Sequence, residues 1–143
     1  MKKILAVMLI LCLTLFTFIS CQSTEEYYAD KVICISVSHV SGFDIQSEYD
    51  VYFENIKKGE NYELPNGDAN PYEVTVTIID IDKEQITIAF SQPMDRTDKT
   101  EIKSTTTFEL SLNESEEFVT PTSGGGDIFR FSIVDKSAIS AND

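Results

Sequence analysis

Residues Ile102 to Leu112 read IKSTTTFELSL. Counted in twos, they place Ile102, Ser104, Thr106, Phe108, Leu110 and Leu112 on one face, and Lys103, Thr105, Thr107, Glu109 and Ser111 on the other. Successive side chains of a strand point to opposite faces, so this alternation predicts a half-buried β-strand.

The same period recurs on both sides of that stretch. Upstream, Ile33, Ile35 and Val37 alternate with Cys34, Ser36 and Ser38, and Tyr49, Val51 and Phe53 with Asp50, Tyr52 and Glu54. A KKGEN turn leads into a short strand, YEL; further on, Val74, Val76 and Ile78 form one face, as do Ile86, Ile88 and Phe90. Downstream lie a short strand around Phe118 and Val119 and a last one carrying Phe129, Phe131 and Ile133. Turn residues bound each run, and no segment after Cys21 keeps helical periodicity for three turns. The pattern predicts an all-β domain over residues 31–137, a single antiparallel β-sandwich or small barrel of seven or eight strands, with a polar tail at 138–143.

Two segments share a further pattern. GENYELP (Gly59 to Pro65) and SEEFVTP (Ser115 to Pro121) both read small residue, Glu, any residue, aromatic, two residues, Pro. Aligning Gly59 with Ser115 also matches Tyr52 with Phe108 and Ile56 with Leu112; with one residue of slippage, Tyr72, Val74 and Val76 match Phe129, Phe131 and Ile133. This predicts a repeated unit in which PNGDANP (65–71) and TPTSGGGD (120–127) are equivalent loops at one end of the sandwich. Loops on a rigid sheet are where binding residues concentrate. The binding candidates are therefore Asn66, Asp68, Asn70 and Tyr72 from the first loop, and Thr122, Gly124, Gly125, Asp127 and Phe129 from the second.

Other chemistry is sparse. His39 is the only histidine and excludes a His-rich metal site; at a strand end, it is expected to find a backbone partner. No G-x-S-x-G elbow, P-loop or G-x-G-x-x-G occurs, and no catalytic residue or cofactor is assigned. Asp80, Asp82 and Glu84 place acids at alternate positions of a turn, a spacing seen among calcium ligands, but without the glycine and final glutamate of an EF-hand. A solvated turn is the expectation there.

The opening segment, MKKILAVMLILCLTLFTFISC (Met1 to Cys21), has a different character. Lys2 and Lys3 precede an uncharged apolar run from Ile4 to Ile19, and small Ser20 precedes Cys21. The layout is that of a secretory signal peptide, and the cysteine makes it resemble a bacterial lipoprotein signal. Ile19 and Ser20 fit that family's pattern; Phe18 stands where Leu, Val or Ala is usual, and Cys12 is preceded by bulky Leu11. The resemblance implies removal of residues 1–20, a diacylglycerol on Cys21 and a polar tether over 21–30. The run from Ile4 to Ile19 is short of the roughly 18–20 residues needed to span a bilayer, whereas two lipid chains anchor stably. Gln22 is not the aspartate that in many Gram-negative lipoproteins marks inner-membrane retention. The expected location is extracytoplasmic, on the cell membrane or an outer membrane.

Charge and cysteines fit that address. The chain carries −13, and −15 once two lysines and no acids leave with the signal, which disfavours nucleic acid as a partner. Cys34 is then the only cysteine besides Cys21 and has no disulfide partner; in VICISV it reads as a small buried hydrophobe. The expected role is a non-catalytic envelope module binding a protein or glycan partner. The alternatives are a hydrolase using loop carboxylates, a calcium-binding module, or a protease inhibitor: TPTSGGG is similar to two loop motifs of the chagasin family, though that family's R-P motif is missing.

Overall fold

The computed structural model describes residues 28–42, 44–65, 73–98, 101–121 and 125–139. The signal segment, Cys21, and the loop candidates Asn66, Asp68, Asn70, Tyr72, Thr122 and Gly124 lie outside the described residues.

Eight strands follow in order: β1 (Lys31–Ser41), β2 (Asp44–Phe53), β3 (Asn61–Glu63), β4 (Thr75–Ile81), β5 (Gln85–Asp98), β6 (Glu101–Ser111), β7 (Ser115–Val119) and β8 (Gly125–Asp135), then one helical turn, α1 (Lys136–Ile139). The expected all-β class is the one observed. The strands form one continuous antiparallel sheet curled into a half-barrel, in the order β2-β1-β8-β7-β5-β4-β3, with β6 pairing β5 off this path.

The pairings repeat. Exchanging β1–β4 for β5–β8 turns β1·β2 into β5·β6, β3·β4 into β7·β8, and β1·β8 into β5·β4, all of which are present. The register repeats too. Ile33 pairs with Phe53 as Ile88 pairs with Phe108. Ile35 pairs with Phe131 as Phe90 pairs with Val76, and Ile33 pairs with Ile133 as Ile88 pairs with Ile78. Every equivalence uses the single step that carries Ile33 to Ile88, and every residue in it is buried. That step is one position shorter than the one carrying Gly59 to Ser115, so the expected alignment of the halves is corrected. The counterpart of Phe108 is core-facing Phe53, not Tyr52, which is 37% exposed, and Phe129, Phe131 and Ile133 correspond to Val74, Val76 and Ile78. A one-residue error exchanges the two faces of a strand. The common step holds only up to the register shifts, between Ile78 and Asp80 and between Ala89 and Met94, and it fails for β3 and β7: Tyr62 pairs with Val76, whereas Phe131 pairs with Glu116, two residues before Phe118.

One pairing has no equivalent, β5 with β7, through Asp95↔Val119 and Arg96↔Phe118. It forms because β5 runs on past a register shift between Ala89 and Met94. Over this join lies a cluster of Phe90, Phe108, Phe118 and Phe131. The Phe108 and Phe118 ring centroids are 4.4 Å apart, and Phe118 and Phe131 meet edge to face at 5.9 Å. The chain's two arginines both reach glutamates of β7, from opposite faces: Arg96 of β5 meets Glu116 at 2.6 Å and Arg130 of β8 meets Glu117 at 2.7 Å.

Two expectations about burial change. Tyr28, placed in the tether by composition, is 1% exposed and joins the core. The alternation of 102–112 faces the core only in its second half: Phe108 and Leu110 are buried, while Ile102 is 72% exposed. Residues Glu101 to Thr105 pair with the end of β5, and Ile102, near the tip of that hairpin, faces solvent.

Phe118→Ala is expected to cost about 3–5 kcal/mol through lost burial and the cavity left behind, whereas Ile102→Ala should stay within about 0.5 kcal/mol. Urea unfolding of the two variants beside the parent checks this; equal losses would mean that the alternation runs inward over its whole length.

Candidate functional site

Near the C-terminal end of β1 the sheet's inward face turns polar. There His39 continues the row Ile33, Ile35, Val37, and its cross-strand neighbour on β8 is Asp127. The carboxylate, 1% exposed, is hydrogen-bonded to His39 Nδ1. On the other side, Nε2 lies 3.0 Å from the hydroxyl of Tyr49 on β2. Asp127 is fixed from the β7 side as well: its N–H donates to Thr120 Oγ1 at 2.9 Å, and its carbonyl accepts from Thr120 N–H at 3.0 Å. Burying a carboxylate is costly without such partners.

The chemistry available follows from the donors. With Nδ1–H given to the carboxylate, the neutral ring presents its Nε2 lone pair to the Tyr49 O–H. Burial first, and then the Asp127 charge, raise the Tyr49 pKa, so the phenol keeps its proton and serves as a donor. The cluster can relay a proton and tie three strands together. It offers no activated nucleophile.

The structure redistributes the residues expected to bind. Phe129 is fully buried beside Val37, in the core rather than on a loop face. Asp127 is buried with His39, and His39 has side-chain partners in place of the expected backbone one. Gly125 starts β8 at φ +147°, and a Cβ there would come within 2.6 Å of the Val40 carbonyl oxygen, so glycine is required by a close strand approach. Following the antiparallel pairings, β4 runs opposite to β8. The β3–β4 and β7–β8 loops therefore leave opposite ends of the strands, which corrects their expected placement at one end.

The acidic turn is accounted for by its own hydrogen bonds. Asp80 pairs with Lys58 at 2.9 Å, which lowers its pKa. Asp82 Oδ1 accepts from the N–H groups of Glu84 and Gln85, an Asx turn. Among the described residues, no group of three or more His, Cys, Asp or Glu side chains could hold a metal ion. A polar groove of about 400 Å³, bordered by Thr87, Arg96, Thr107, Glu109 and Glu116, lies near the β6–β7 turn. Cys34 is buried, as expected, on the outer face beside Tyr52, and burial followed by the Asp50 charge raises its thiol pKa.

Sequence reasoning could place His39 on the core-facing row. It chose Asp127 as a loop binding residue but had no signal for pairing it with His39, 88 positions away, because only the β1·β8 register brings the two together.

His39→Ala removes the ring from a buried carboxylate and should cost about 1–3 kcal/mol of folding stability at neutral pH. Adding Asp127→Asn to His39→Ala should cost less than the sum of the two single losses. Additive losses in a urea-unfolding cycle would show that the pair is not coupled. The raised thiol pKa predicts that Cys34 reacts with a disulfide reagent at pH 8 more slowly than a free thiol, and faster in Asp50→Asn; no difference would show that Asp50 has no part in it.

No family model, curated protein or solved structure matches the chain.

Proposed function

We propose that this chain is a lipid-anchored protein of a bacterial envelope, carrying its lipid on Cys21 and presenting a non-catalytic β domain that binds an extracytoplasmic partner or serves an envelope complex. The observation that carries the reading is the N-terminal segment itself: two lysines, the uncharged apolar run from Ile4 to Ile19, and Phe18-Ile19-Ser20-Cys21. An apolar run of that length exports a chain more readily than it spans a bilayer.

The start of the folded domain supports an anchored arrangement. Tyr28 is already in the core, so only residues 22–27 separate it from Cys21. They can reach roughly 20 Å, which holds the domain close to a lipid surface. β1 begins at the tethered end and runs eleven residues, about 35 Å at strand rise. His39, the β1–β2 turn and the start of β8 then lie at the end remote from the membrane. The net charge of −15 left after loss of Lys2 and Lys3 makes anionic head groups unfavourable neighbours and leaves the lipid as the means of attachment.

The expected result for protein extracted by detergent from its own cells is an intact mass matching Cys21 to Asp143 plus lipid, absent in Cys21→Ala. An unlipidated or uncleaved mass would overturn the anchored reading.

A further inference from the structure

The two halves of the sheet end differently. In the second half, β6 pairs with β5 and also packs across the interior onto β7 and β8. Its counterpart β2 pairs with β1 and, among the described residues, has no comparable packing on a second strand. β2 is therefore a ten-residue edge with one row of backbone N–H and C=O groups facing no strand, whereas β3, at the far edge, has three residues. Such an edge is a template for another strand. Along it Ile45 is 61% exposed, Tyr49 40% and Tyr52 37%, so apolar surface accompanies the open backbone.

The charge on this edge is one-sided. Asp44, Glu48 and Asp50 lie on β2 and Glu54 follows it, with no lysine or arginine between Lys31 and Lys57. Ser36 and Ser38 donate to Asp50 and Glu48 at 2.6 and 3.2 Å, which holds both carboxylates over the outer face. β6, by contrast, carries Lys103 between its acids. We propose that the free edge of β2 takes an added antiparallel strand from a lysine- or arginine-rich extended segment of a partner protein. Backbone hydrogen bonds supply the attachment, the exposed tyrosines and Ile45 receive alternate side chains, and the carboxylates select basic residues. The same carboxylates oppose a second copy of this chain, because two β2 strands would bring acids face to face. The inference rests on reading the domain as a binding module and is independent of the lipid on Cys21.

The test uses the full-length protein in detergent and three short peptides of equal length: alternating lysine and valine, the same peptide N-methylated at every residue so that neither edge can donate, and alternating glutamate and valine. His39, the only histidine, gives one unambiguous imidazole signal next to Tyr49. The lysine peptide is expected to bind, shift that signal and slow amide exchange along β2; the glutamate peptide is expected not to bind. N-methylation, and separately Asp44→Lys with Glu48→Lys, should each weaken binding at least tenfold. Glu101→Lys with Glu109→Lys on β6, the same change in charge, should leave it within twofold. Equal binding of the N-methylated peptide would reduce the effect to attraction between opposite charges and overturn the proposal. Protection mapped to β6 or β3, no binding at millimolar peptide, or self-association that Glu48→Lys abolishes would each overturn it too. A failed lipid-mass measurement beside successful strand addition would remove the anchor and leave the edge site standing.

Discussion

Two backbone register pairs, Asp95 with Val119 and Arg96 with Phe118, make this one sheet instead of two. Without them β2-β1-β8-β7 and the strands around β5 would be separate layers, each with an apolar face to cover. β7 has only five residues, and a strand so short contributes few hydrogen bonds. Its position is secured by what surrounds it. Phe118 has no exposed surface, and its ring centroid lies within 5.9 Å of those of Phe90, Phe108 and Phe131. Arg96 and Arg130 close over the strand from each side. Exposed ion pairs of this kind are each worth roughly 0–1 kcal/mol, against the several kcal/mol expected from burying a large aromatic side chain. Apolar packing holds the join, and the arginines fix its register.

The join also explains the asymmetry between the halves. β5 can reach β7 because it continues from Phe90, where β4 leaves it, to Asp98, past an irregularity that bends it. β1, three residues shorter, ends at Ser41 beside β8 and does not extend to β3. One half is therefore drawn closed over the aromatic cluster, and the other stays open along β2. In the open half, His39 continues the core-facing row of β1, with Asp127 and Tyr49 bound to it. Polar groups are tolerated there because each is partnered and because Tyr49, at 40% exposure, still meets water.

How much of this could be read from the chain depended on the range of the interaction. Period-two alternation found the core faces of β1, β4, β5 and β8, because each residue's burial there follows from its own strand. It failed at Ile102, where the pattern persists but the core does not, since the tip of the β5–β6 hairpin projects past the last pairing with β7. It put Phe129 on the inward row of the last strand, where Val37 across the sheet keeps it buried; only the supposed equivalence of the two loops made it a binding candidate. The repeat was visible in composition, and its true alignment emerged only from pairings; three irregularities, at His39/Val40, Ile78/Asp80 and Ala89/Met94, shift the register within the strands being compared. Tyr28 lacks periodic neighbours, and only tertiary packing reveals it. The site was the least legible part, since it is built by β1 and β8 from opposite ends of the sequence.

That last pairing has a topological consequence. Lys31 lies opposite Asp135, with the lysine ammonium 2.8 Å from the aspartate carboxylate, so the domain's first and last strands are neighbours, equivalent to β4 and β5. In terms of its pairings the sheet has no distinguished beginning. Joining the chain after β8 to β1 through a short linker, and cutting it instead in the Asp82–Glu84 turn, would give a circular permutant ordered β5-β6-β7-β8-β1-β2-β3-β4. Every strand contact would survive, and new termini would emerge where the repeat passes from one unit to the next.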